Sequence, residues 1–67
     1  MNETQIAILK LLEEKGTATM EDLVAVAGED AYEARDFLVS KGLIGTMKPG
    51  GIHIMYYVTP KGKAGLS

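Results

Sequence analysis

After Gly42 the spacing of apolar residues changes from helical to alternating, and this change limits what the chain can fold into. Before it, apolar positions recur every three or four residues. After it they alternate, and a residue cannot serve both periods. The order is therefore helices first and a short antiparallel sheet second, an α+β domain. The chain has 67 residues and no cysteine. One domain of this size buries about 60% of its unfolded surface, so its stability rests on local devices as well as on a core.

Three helices are predicted in the first part. Asn2 can cap the first, over about residues 3–15, with Gln5 as reciprocal partner. Ile6, Leu9 and Leu12 form its apolar stripe, with Ile8 and Leu11 beside them, and Lys15-Gly16 closes it. Thr19 precedes "MED" as a second capping site, followed by the apolar residues Leu23, Val24, Val26 and Ala27. Gly28 makes the turn into a third helix, 31–41, in which Asp30 caps with Glu33 as reciprocal partner. Ala31, Ala34, Phe37 and Leu38 face inward, and Lys41-Gly42 ends the helix. Two short helices joined by a tight glycine turn form the helix-turn-helix pattern.

The region 43–59 reads as a β-hairpin. "LIGTMK" is one strand, "KPGG" the turn, and "IHIMYYVT" the other strand, with Ile52, Ile54, Tyr56 and Val58 facing one way and His53, Met55, Tyr57 and Thr59 the other. Thr59-Pro60 can start a last helical turn, but "KGKAGLS" contains two glycines. Residues 1–60 are accordingly read as the domain and 61–67 as a short flexible or frayed tail.

Three helices followed by a two-stranded hairpin is the winged-helix arrangement, and two strings strengthen the resemblance. "VSKGLIG" (Val39 to Gly45) resembles the junction between recognition helix and wing. "YYVTPKGKAGL" (Tyr56 to Leu66) is similar to the segment that closes the wing in small bacterial and archaeal winged-helix regulators. "Y-x-A-R" at Tyr32 to Arg35 also occurs in small fimbrial-operon regulators. The resemblance covers nearly the whole chain and implies double-stranded DNA as the partner, with the third helix in the major groove and the wing on the backbone. Many such regulators carry a dimerisation helix after the wing; this sequence shows none.

Charge qualifies that expectation. Residues 1–36 hold nine acids against three bases, a net of −6; residues 37–67 hold four lysines and no acid, a net of +4. Only the second part suits a polyanion. On a helical wheel the outward face of the third helix carries Tyr32, Asp36, Val39 and Ser40, with Arg35 and Glu33 at its flanks. Arg35 is placed to read a base edge and Tyr32 or Val39 to touch a thymine methyl. Asp36 or Glu33 can accept from cytosine or orient Arg35. The same acids also have a local reading, as anions favouring the helix N-terminus and solvent. Lys48 at the wing turn, His53 on the wing's outer phase, and Lys41, Lys61 and Lys63 at its base are the remaining candidates for contact with phosphates, unless they are only a solvated surface. If about four of these cations meet phosphates, log affinity falls with log salt at a slope of about −3.6.

A DNA-binding regulator is thus one reading, helped by homodimerisation on half-sites about one helical turn apart. A winged-helix module that docks a protein partner is the alternative, motivated by the acidic first part and by Tyr32 and Val39. No spacing of residues suits catalysis, a metal or a cofactor, and an enzyme is not expected. No apolar run is long enough to span a membrane, and "MNETQ" does not begin a secretory signal, so the expected compartment is the cytoplasm.

Overall fold

Helix α1, Glu3–Lys15, opens the chain in the computed structural model, which describes residues 1–66. Its start is fixed by a reciprocal cap: the Gln5 amide donates to Asn2 Oδ1 at 2.8 Å and the Asn2 amide donates to Gln5 Oε1 at 3.1 Å. Strand β1, Ala18–Thr19, follows, then α2, Met20–Ala27, and α3, Asp30–Ser40. Strands β2, Ile44–Met47, and β3, Met55–Val58, form the wing, and α4, Pro60–Ala64, ends the description of regular structure.

The sheet has three antiparallel strands in the order β1-β3-β2. Tyr56, in the central strand, stands between Ala18 of β1 and Thr46 of β2. The two-residue β1 was not foreseen, because two residues are too few to display an alternating period. The largest wholly buried side chains are Ile8, Leu9, Leu12, Leu23 and Leu38, one inner face from each of the three long helices, and Tyr56 closes the core from the sheet. This burial is the main favourable contribution to folding.

Two local devices join helices to wing. At the end of α3 the Leu43 amide donates to the Leu38 carbonyl at 2.9 Å and the Gly42 amide to that of Val39 at 3.0 Å. That is the Schellman pattern, with Gly42 at φ +72° in the left-handed position it needs. At the base of the wing, Thr59 Oγ1 donates to the Gly42 carbonyl at 2.6 Å and accepts from the Gly62 amide at 3.1 Å. One hydroxyl therefore caps α4 and ties it to the end of α3.

Several sequence expectations need correction. Asp30 does not cap α3; Glu29 occupies that position in helical conformation without a side-chain hydrogen bond, and the Ala31 amide donates to the Gly28 carbonyl at 3.1 Å. The turn after α2 is so tight that backbone serves where a side-chain cap was expected. Val26 is exposed, because the inner face of this eight-residue helix is made by Leu23 with Met20, Val24 and Ala27 packed beside it. Phe37 is exposed instead of turned into the core. The second wing strand starts at Met55, not Ile52, since Gly50 and Gly51 both take positive φ and widen the turn. Ile52 and Ile54 consequently project outward, 73% and 52% exposed. Residues 61–64 are helical where a frayed tail was expected, with Gly62 buried and Lys61, Lys63 and Ala64 exposed; Ser67 lies outside the described residues.

The closure by α4 requires a glycine. A Cβ at Gly62 would collide with the Leu43 carbonyl oxygen and approach Val58 Cγ2 to 2.7 Å. Gly62→Ala is expected to lower stability by about 1–3 kcal/mol, measured by urea unfolding, because the opposing atom is backbone and cannot rotate away.

The second cap contains a titrating group. The Thr19 amide donates to Asp22 Oδ2 at 3.1 Å, and the Lys15 ammonium lies 3.4 Å from the same oxygen. Chiefly through the Thr19 bond, and also through Lys15, the Asp22 carboxyl is held below its ordinary pKa. A lowered folded-state pKa stabilises the fold above the unfolded value, and that stability is lost as pH falls through the folded value. Between about pH 5 and 3, spanning the ordinary aspartate pKa, the wild-type chain should lose more stability than Asp22→Asn in parallel urea titrations.

Candidate nucleic-acid interface

The outward face of α3 and the wing form the two walls of one cleft of about 540 Å³. The helix contributes Arg35, Asp36, Val39 and Ser40; the sheet and wing contribute Thr46, Met47, Lys48, Ile54 and Tyr56. Helical spacing puts residues 32, 36 and 39 on one side, and burial of Ala31, Ala34 and Leu38 turns that side outward. On the wing, the Gly51 amide donates to the Lys48 carbonyl at 2.8 Å, with Pro49 and Gly50 between them. Gly50 at φ +67° fits the third position of a type II turn. The turn leaves Lys48 exposed at the mouth of the cleft.

Arg35 sits at the back of this cleft. Its Nη1 donates to the Tyr56 hydroxyl at 2.7 Å and approaches Met20 Sδ at 3.6 Å. Its Nε donates to Asp36 Oδ1, also at 2.7 Å, and its guanidinium carbon stands 5.9 Å from the Tyr56 ring centroid. The bond to Tyr56, and after it the Asp36 carboxylate, hold the guanidinium pKa above its already high ordinary value against the opposing effect of burial. Arg35 is thus cationic at any pH the fold survives.

On the far side of Arg35 and Tyr56 a second cleft of about 460 Å³ runs beneath the wing loop, with Met20, Glu21, Ile52 and His53 among its walls. Lys48 and Ile54 border both clefts. A third hollow lies between α3 and the start of α1, and there Asp30 and Glu33 face Asn2, Thr4 and Gln5.

The structure therefore divides the residues singled out from the sequence. Arg35, Asp36, Val39, Ser40 and Lys48 share the main cleft, and His53 lies across the wing from it. Glu33 faces the α1 side, so of the two acids weighed for the groove face only Asp36 is there, and it is Asp36 that contacts Arg35. Tyr32 is 52% exposed on the first turn of α3, outside all three hollows. Lys41 and Lys61 meet at the other end of α3: Lys61 Nζ donates to the Lys41 carbonyl at 2.8 Å, and the Lys41 ammonium lies 5.8 Å from the Phe37 ring centroid. Lys63 is exposed on α4. Of the lysines singled out, Lys48 thus stands at the wing and Lys41, Lys61 and Lys63 at the base.

Sequence reasoning put Tyr56 on one face of the strand with Val58 but missed its hydroxyl as the partner of Arg35. A signal existed. A tyrosine at an inward strand position carries a hydroxyl that needs a partner when buried, and Arg35 offered the only guanidinium in the sequence.

Comparison with known proteins agrees with this architecture. No protein-family model and no curated protein sequence matches the chain. Among solved structures, the chain is similar to BpsR of Bordetella bronchiseptica, studied for the regulation of its DNA binding by 6-hydroxynicotinic acid. The TM-score is 0.82 at 20% identity, over 98% of this chain and 51% of that one. The fold is a winged helix, and the chain spans about half the length of this structural relative. Among the described residues no helix is long and apolar enough to cross a membrane.

The ion pair at the cleft is asymmetric: the Arg35 side chain is 27% exposed and that of Asp36 72%. Exposed pairs contribute little because water screens them, so Asp36→Ala should change unfolding free energy by less than about 1 kcal/mol in urea titrations.

Proposed function

We propose that this chain is the DNA-binding winged helix of a regulator, with α3 in the major groove and the wing against the sugar-phosphate backbone. The observation that carries the reading is the shared cleft: Asp36, Val39 and Ser40 of α3 and Lys48 of the wing line one concave surface. A convex duplex edge meets both walls there at once. Val39 suits a thymine methyl, Ser40 can donate or accept at a base edge, and Asp36 can accept from a cytosine amino group. Tyr32, at the exposed N-terminal turn of α3, extends this face. Lys48 supplies the nearest phosphate contact, His53 follows it along the wing, and Lys41, Lys61 and Lys63 supply cations at the base. The DNA-binding neighbour BpsR supports the same assignment.

A single domain with so few cations binds weakly. Two copies on half-sites about one helical turn apart would raise affinity to that of a working regulator. The Arg35–Asp36 pair and the apolar cleft walls Val39, Met47 and Ile54 favour a second reading, in which the cleft docks a protein segment. The two readings differ in their response to salt. Phosphate contacts weaken steeply as salt rises, whereas apolar docking does not.

The experiment is a fluorescence-anisotropy titration with random-sequence duplex DNA across a range of salt. The expected slope of log affinity on log salt is about −3.6, flattening by about 0.9 in Lys48→Met as one phosphate contact is lost. Absence of binding at low salt, or binding indifferent to Lys48, contradicts the reading.

A further inference from the structure

Arg35 is the only arginine in the chain and lies on the proposed recognition helix, where a base-reading role is the obvious assignment. Its contacts point elsewhere. Two of its three nitrogens are engaged inside the protein, Nη1 with Tyr56 and Nε with Asp36. The acceptor on the sheet side is well placed to transmit force. Tyr56 is buried in the central strand and paired on both sides, with Ala18 and with Thr46. That strand and its neighbour continue directly into the wing loop. The contact with Met20 adds the first turn of α2 to the same guanidinium.

We infer that Arg35 is a positioning residue, which locks the recognition helix to the central strand and so fixes the angle between α3 and the wing. The geometry gives it a purpose that a free arginine would not serve. A rigid duplex meets helix and wing together only if their separation is set in advance, and a preset separation avoids an ordering cost on binding. Asp36 holds the guanidinium plane from the solvent side, and Tyr56 takes its charge-assisted hydrogen bond from within. The affinity consequence rests on the DNA reading above; the mechanical consequence does not.

The test uses Tyr56→Phe, which removes the acceptor while keeping the ring, the burial and the net charge. In the DNA-free protein, amide hydrogen exchange is followed in β2 and β3 and, as reference, in α1. Loss of a hydrogen bond to a charged group should speed exchange in the two wing strands by about tenfold or more, while α1 amides that exchange through local fluctuations keep their rates; the slowest α1 amides exchange through global unfolding and report only the change in overall stability. Acceleration confined to the globally exchanging amides, or none in the wing, overturns the inference. With random duplex DNA, Tyr56→Phe should weaken binding severalfold without altering the salt slope. The charge-balanced pair Arg35→Met with Asp36→Asn should likewise leave the slope unchanged. If Arg35 instead contacts DNA, Tyr56→Phe frees it and binding stays equal or tightens, while the double variant flattens the slope by about 0.9. If the wild-type protein ignores DNA while Tyr56→Phe shows the wing-specific exchange effect, the DNA reading falls and the lock stands.

Discussion

The hydrogen bond from Arg35 to Tyr56 joins the two halves of this fold that hydrophobic burial alone leaves loosely oriented. Apolar packing is non-directional. It brings Ile8, Leu9, Leu12, Leu23 and Leu38 together, but it does not set the angle at which a helix meets a two-stranded ribbon. A guanidinium fixed at two nitrogens does set it. Through Tyr56 the constraint reaches all three strands, and through Met20 it reaches α2. Arg35, Asp36 and Tyr56 all line the cleft between α3 and the wing, so this arrangement forms part of its wall.

Around that interaction, a short chain without disulfides secures its ends and joints by local chemistry. Reciprocal caps start α1 and α2, the Gly42 turn ends α3, and Thr59 with the buried Gly62 fastens the base of the wing. Each is worth only about 1 kcal/mol. In a domain whose total stability is about 5–15 kcal/mol, however, several together decide whether it stays folded. Tyr57 adds one more: its ring lies over Gly45, its cross-strand partner, and covers the backbone that a side chain would otherwise occupy.

Much of this was legible in the sequence. Helix α1, both reciprocal caps, the glycine turn at Gly28 and the "KPGG" wing turn follow from residue type and spacing, because each depends on neighbours within four positions. What was not legible depends on tertiary context. Strand β1 is defined by pairing with β3, not by its own two residues. Ile52 and Ile54 continue the alternation of Tyr56 and Val58 in sequence, yet the double glycine turn carries them out of the sheet. Asp30 has the right identity for a cap and the wrong backbone position. In the candidate site, the outward face of α3 and the exposure of Lys48 could be read from spacing. The commitment of Arg35 to Tyr56, 21 residues away, has no trace in spacing; its one signal is the need of a buried tyrosine hydroxyl for a partner.

The charge imbalance takes a spatial form in the structure. Acids gather on α1 and at the starts of α2 and α3, Glu21 reaches the cleft beneath the wing, Asp36 lines the main cleft, and of the lysines after residue 36 Lys48 stands at the wing and Lys41, Lys61 and Lys63 at the base. The most direct test of the central claim, that α3 and the wing form one preset surface for duplex DNA, is a map of amide chemical-shift changes on addition of a short duplex. The account predicts changes concentrated at Tyr32, Asp36, Val39, Ser40, Lys48 and residues 52–54, with the hollow between α1 and α3 silent. Changes confined to the acidic α1 side, or a response in α3 without one in the wing, would contradict it.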